Sequence, residues 1–330
     1  MNMKKELIMG ICIIAAIIAG TIFLIPSQQN MTPGIKNDTV EQPSPTLTDQ
    51  SSEIAGRISH NLTMNPSTSM DGGSKALDKI MIYKTLPPIV DKEGTLTVAK
   101  KFNVTGNLRG ETTVQSEDLR YYITVTKKSG AVRYQDQNRP NKQTDAPEML
   151  PTDEATEKIA TQFLKDRDLY PESAAFSKTY RENAIAVSEK PDRVVFGQIG
   201  VWFNRTLNGM NVKGTQLVVY VGGNGDVIGY YANWRDYEPY KEYPLITPLD
   251  AFDKLKTKGV PVGMNKPDSL VSIDNVRLAY MTKAGAYSEE YLEPVWVFTG
   301  NVMVDGNAVD FVEADIPALT DDAVKSLSSS

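Results

Sequence analysis

The chain has 330 residues, a formal net charge of −6 and a pI near 5.1. Its 41% hydrophobic content is enough for a buried core across about two domains. The acidic balance and the shortness of its lysine pairs (Lys4-Lys5, Lys100-Lys101, Lys127-Lys128) exclude a phosphate-neutralising stripe, so no nucleic-acid partner is expected. With one cysteine, Cys12, and one histidine, His60, the chain cannot form an intramolecular disulfide, a His-dependent triad or dyad, or a Cys/His zinc site. Only carboxylate chemistry survives. No enzyme, cofactor or metal centre is expected.

Leu7 to Ile25 is an uncharged run of 19 residues. As a helix it would rise roughly 28 Å, close to the hydrocarbon thickness of a bilayer. Lys4 and Lys5 precede it, and only Lys36 falls between Pro26 and Thr48, so the charge bias predicts a cytoplasmic N-terminus and an extracytoplasmic body. A cleaved signal peptide would have a shorter apolar region and a small-residue exit, whereas this run ends Phe23-Leu24-Ile25-Pro26. The reading is a retained single-pass anchor over residues 1–25 in the cell membrane. Residues 26–75 are rich in Ser, Thr, Pro, Asn and Gln and predict a disordered stalk. Four N-x-T sequons, at Asn37, Asn61, Asn103 and Asn204, are candidate glycosylation sites on an exported chain.

Beyond the stalk, one pattern occurs three times: a capped helix, then antiparallel strands. In the first unit (76–150), Asp91 caps a helix toward Phe102 that buries Leu96, Ala99 and Phe102. Strands are expected over Glu111–Ser116, Leu119–Thr126 and Ala131–Asp136. The second unit (151–245) opens at the cap Thr152 with Asp153 and Glu154 in the first turn. Strands follow over Ala174–Val187, Arg193–Arg205, Val212–Val221 and Asp226–Arg235, with positive-φ turns at Asn208-Gly209 and Gly222–Gly225. The third (246–316) starts at Thr247-Pro248 with Asp250 at capping-box spacing and stops at Gly259. Its strands are expected over Val271–Lys283, Pro294–Val304 and Ala308–Ala314. Residues 317–330 read as a flexible tail. Helices grouped with hairpins predict an α+β fold of helix-plus-antiparallel-sheet units.

The stretch Val201-Trp202-Phe203-Asn204-Arg205-Thr206-Leu207-Asn208-Gly209-Met210-Asn211-Val212-Lys213-Gly214, with Leu217–Val221 and Gly225-Asp226-Val227, resembles the propeptide domains of thermolysin-type proteases. The helix-plus-hairpin units resemble PepSY domains and related exported regulators of cystatin-like α+β architecture, over about residues 150–316. The resemblance implies a regulatory module that acts on a protease or a sensor. No protease domain follows, so any inhibition would act in trans.

Trp202, Trp234 and Trp296 fall on expected strands, where packing is the commoner role of so large a ring. Strand alternation places Tyr230, Ala232 and Trp234 on one face and Tyr231, Asn233 and Arg235 on the other. The second face, with Tyr237, is the candidate binding face. Acidic pairs such as Glu289-Glu290 are read as solvated surface. The expected function is a membrane-tethered, non-catalytic module that binds a protein partner outside the cytoplasm through a strand edge or hairpin. The alternative is a receptor for a small ligand or cell-wall glycan fragment in a cleft between units.

Overall fold

The computed structural model describes residues 58–70, 77–138, 150–186, 193–263, 265 and 268–329. The anchor expected over Leu7–Ile25, most of the stalk and Asn37 lie outside them. No helix among the described residues is long and apolar enough to cross a membrane.

The N-terminal described segment carries β1 (Ile58–Ser59), β2 (Leu62–Met70) and β3 (Lys79–Thr85), so the part of the expected disordered stalk that is described forms strands instead, ordered by pairing with Val260–Pro261 and Leu270–Met281 far along the chain. Then come α1 (Lys92–Lys101), β4 (Gly106–Arg109), β5 (Thr113–Ser116), β6 (Tyr121–Val125) and β7 (Val132–Asp136). The next group is α2 (Asp153–Asp166), β8 (Ala174–Ala186), β9 (Arg193–Leu207), β10 (Met210–Lys213), β11 (Gln216–Val221), β12 (Val227–Asn233) and β13 (Tyr237–Pro244). The last is α3 (Pro248–Lys258), β14 (Val260–Pro261), β15 (Leu270–Met281), β16 (Tyr291–Val304), β17 (Asn307–Pro317) and α4 (Asp321–Ser328).

The helix starts follow the expected chemistry. Asp91, Thr152 and Thr247 each accept a backbone N–H from the first turn of their helix, and Thr247 with Asp250 closes a full capping box. The turn residues Asn208, Gly209, Asn224 and Gly225 all have positive φ. In α1 the buried positions are Thr95 and Ala99, and Leu96 is exposed instead, because Thr95 Oγ1 turns inward to donate to Glu111 O at 2.6 Å.

The fold class, however, is not a row of α+β units. About half of the described residues are strand and a fifth helix, and 15 strands join in one mixed sheet. Local alternation specifies a strand but not its neighbour, and unpaired edges seek partners. Strand β7, the last of the first group, and β12 of the second pair antiparallel from Gly229↔Gln135 to Ala232↔Val132. This makes the continuous run β8-β9-β11-β12-β7-β6-β5-β4. The stretch Val212–Val221, expected as one strand, breaks after Lys213, where Gly214 takes φ 77°. The piece before the break, β10, pairs in parallel with β15, as β2 does further along. These two parallel pairings make the sheet mixed.

Helices α1 and α2 cover one face of the eight-strand run, around Phe102, Leu164, Phe203 and Leu217. A second core gathers Leu255 of α3 with Ile273, Tyr280, Trp296 and Phe298. The Trp296 Nε1 donates to Ile246 O at 3.0 Å, so the buried indole is satisfied. The tail expected after residue 317 is instead α4, capped by Thr320 and anchored by the buried Ala323. Strand β13 (YEPYKEYP) did not read as a strand because proline cannot donate to a ladder. It is an edge strand that pairs β3 across a bulge at Pro239/Lys241.

Candidate binding site

Alternation along β12 is as expected: Tyr230 and Ala232 are buried on the helix side, and Trp234 packs against that core. The opposite face is not open along its whole length. Asn233 is 1% and Arg235 3% exposed, so these two are corrected from surface to interior. The cover is the turn between β15 and β16. Asn233 Nδ2 donates to Lys283 O at 3.0 Å, and Arg235 Nη2 donates to Lys283 O, Ala284 O and Tyr287 O at 3.3, 3.2 and 2.8 Å.

The same turn delivers Glu289, whose carboxylate accepts from the Tyr237 hydroxyl at 2.8 Å, the Thr282 hydroxyl at 3.0 Å and the Lys283 N–H. Arg235 Nε lies 3.8 Å from Glu289 Oε1, with both side chains essentially inaccessible. Glu289 therefore leaves the solvated class it was assigned with Glu290, which is exposed. Arg205 lies between the Trp234 and Tyr237 rings, 5.1 and 4.8 Å from their centroids, and donates to Arg235 O at 2.5 Å. Burial, with the Glu289 charge adding to it, pushes the Tyr237 hydroxyl well above its ordinary range. Burial also lowers Arg205. Asn233, Arg235 and Tyr237 thus meet in a desolvated polar seam that holds the β15–β16 turn on the eight-strand run.

Tyr231 alone of the four faces a cleft. It lies on the sheet face opposite the helices, with a volume of about 200 Å³, lined by Arg133, Gln135, Trp202, Gln216, Tyr220 and Tyr231 among others. Register makes this face orderly. Tyr180, Gly200, Tyr220, Gly229, Gln135 and Tyr122 stand opposite one another in sequence across six strands. The neighbouring row reads Lys178, Trp202, Val218, Tyr231, Arg133 and Thr124. A Cβ on Gly200 would come within 3.1 Å of Trp202 Nε1 and 3.5 Å of Tyr220 Cε1, and one on Gly229 within 3.1 Å of Tyr220 Cδ2. The two glycines let the indole and the phenol lie down along the sheet rather than stand up from it. Sequence reading missed this platform. Its signal was present as Gly200 and Gly229 inside strands rich in aromatics, since an interior strand glycine marks a close approach.

The other open feature is an edge. Among the described residues β8 pairs with β9 alone over its 13 residues, leaving its outer backbone groups unpaired by strand. Phe176 (39% exposed) and Tyr180 (48%) sit on this edge. The three described sequon asparagines, Asn61, Asn103 and Asn204, are all exposed. Among the described residues no three His, Cys, Asp or Glu side chains are grouped to hold a metal ion.

No family model matches the sequence, and the search of curated proteins gives no match. One solved structure that aligns is an uncharacterized protein from Eubacterium rectale ATCC 33656. It is 12% identical, with a TM-score of 0.42 over 78% of this chain and 87% of that one.

Proposed function

We propose that the protein is a membrane-tethered, non-catalytic interaction module that works outside the cytoplasm and takes an extended segment of a protein partner along β8. The observation that carries this reading is the free edge: 13 residues of strand with one strand neighbour among the described residues. An extended peptide can add to such an edge, its backbone completing the ladder and its side chains choosing the partner. Thirteen residues offer about 43 Å of ladder. Phe176 contacts Phe203 on the helix side, and a bulge between Phe176 and Lys178 turns Tyr180 into the row of the opposite face. Aromatic surface is therefore available on both sides of an added strand. The PepSY and propeptide resemblance favours a protease or a sensor as the partner. The charge pattern around Leu7–Ile25 favours attachment to the membrane with the body outside.

A photo-crosslinking residue at Phe176 or Tyr180, in native membranes, tests the reading, with one at the exposed Lys256 of α3 as control. Mass spectrometry should recover the same protein from both edge positions and not from Lys256. Recovery of no protein neighbour from either edge position would sink it.

A further inference from the structure

The free edge uses backbone groups, but the platform beside it has none to offer, because every strand beneath it is paired on both sides except β8 at the margin. Recognition there must run through side chains. We propose that this face is a second binding site, for an acidic polysaccharide whose pyranose rings lie on Trp202, Tyr220 and Tyr180. Three observations select that chemistry. First, Gly200 and Gly229 let the Trp202 and Tyr220 rings lie along the sheet, and a broad ring surface of this kind takes a flat, partly apolar ring. Second, Gln135 and Gln216 line the same cleft, and an amide both donates and accepts, as a sugar hydroxyl requires.

Third, the charges have one sign. The two rows carry Lys178 and Arg133 and no carboxylate, on a chain whose net charge is −6. Arg133 is exposed and lies 5.5 Å from the Tyr231 ring centroid, with no ion-pair partner among the described residues. It can meet a ligand carboxylate without breaking an internal pair. The rows cross six strands, about 24 Å between the outermost pair, which is a length for several sugar units rather than one. A single-stranded nucleic acid also stacks on aromatics, but it needs a continuous basic track for its phosphates, and two cations over that span do not supply one.

The test is titration of the full-length protein in detergent with three probes: a galacturonate hexamer, a neutral glucose hexamer and an oligothymidylate. Calorimetry gives affinity. Tryptophan fluorescence reports Trp202, since Trp296 is 1% exposed and Trp234 packs against the core. The galacturonate hexamer should bind, quench fluorescence and outbind the glucose hexamer. Trp202→Ala should weaken both sugars about tenfold, and Arg133→Gln should weaken only the acidic one, about fivefold. Tyr180→Ala, at an exposed site, should weaken both about threefold with an unchanged melting temperature. It keeps the test decisive if Trp202→Ala folds poorly. No saccharide binding, tighter binding of oligothymidylate, or full affinity in Tyr180→Ala and Arg133→Gln would each overturn the assignment. None of these results bears on partner capture at the β8 edge.

Discussion

Arg235→Met should be one of the most damaging single changes in the protein. Arg235 is 3% exposed and its Nη2 holds three carbonyls of the β15–β16 turn. Its removal leaves Glu289, whose side chain is 0% exposed, as a buried carboxylate without its cation. Taking one partner from a buried pair costs about 3–5 kcal/mol. The freed carbonyls, at about 1 kcal/mol each, place the total near the upper end of that range. For a chain of this size that is a fall in Tm of roughly 10 °C or more. The comparison is Lys283–Glu293, a pair 3.9 Å apart with both side chains about half exposed. Screening and side-chain entropy leave such a pair worth less than ~1 kcal/mol, so Lys283→Met should barely register. Calorimetric melts of the two variants make the assay, with urea unfolding as a second readout. The pair Arg235→Met with Glu289→Leu, which removes both charges at once, should recover ~2 kcal/mol of the loss. If Arg235→Met melts within about 3 °C of the parent, the seam is not the desolvated clamp its geometry describes.

Three further outcomes are expected. The hydroxyls of Tyr134, Tyr230, Tyr237 and Tyr280 are all raised by burial. Unfolded tyrosine loses its proton near pH 10 while the folded groups keep theirs, so the stability they confer is complete below pH 10 and is lost as pH climbs above it, by up to ~1.4 kcal/mol per pH unit for each tyrosine. Absorbance titration should show these four phenols ionising only with unfolding; one smooth step for all 15 tyrosines in a still-folded chain would contradict this. Gly300→Ala would set a Cβ 2.0 Å from Ser272 O, backbone that cannot step aside without disturbing the β15–β16 bulge, and should cost about 3 kcal/mol in urea unfolding. An unchanged midpoint would show that the ladder yields there. Thr247→Ala removes the side-chain half of the α3 capping box, leaving Asp250 to accept the backbone N–H of residue 247, and should cost ~1 kcal/mol, while Thr247→Ser should retain most of it; equal losses in the two would point away from the cap.

Where the physics is local, the sequence was informative. Asp91, Thr152 and Thr247 are caps because a short side-chain oxygen next to a helix start satisfies an N–H that nothing else reaches. Asn208-Gly209 turns because both residues tolerate positive φ. What did not show was which strands meet. Period-two alternation is the same whether β10 pairs with its neighbour β9 only or also reaches β15 in parallel, and the difference lies in Gly214 releasing the chain after Lys213. For the same reason Tyr231 and Asn233 of β12, with Arg235 just beyond it, were placed on the correct face and two of the three on the wrong side of the solvent boundary. The covering turn comes from about 50 residues further along the chain, beyond any local pattern.

That cover also decides what the outer face can do. Gly285 brings the turn against Tyr231: a Cβ there would stand 2.8 Å from the Tyr231 hydroxyl oxygen and 3.0 Å from Ala131 Cβ. The turn therefore bounds the aromatic platform along one side, at the ends of β7 and β12, and leaves it open toward β8. Arg235 and Glu289 lock that boundary from beneath, with no contact to the Trp202–Tyr220 surface itself. If the platform is shaped by its wall as well as its floor, the loss of the wall should be felt at the floor. Gly285→Val forces the turn off Tyr231 and strains the Arg235 bonds to Ala284 O and Tyr287 O on either side of it, so the melting temperature should fall, and at a temperature where the variant is still folded the acidic hexamer should bind severalfold more weakly. Full retention of hexamer affinity would show that the side chains of the two rows suffice without a wall.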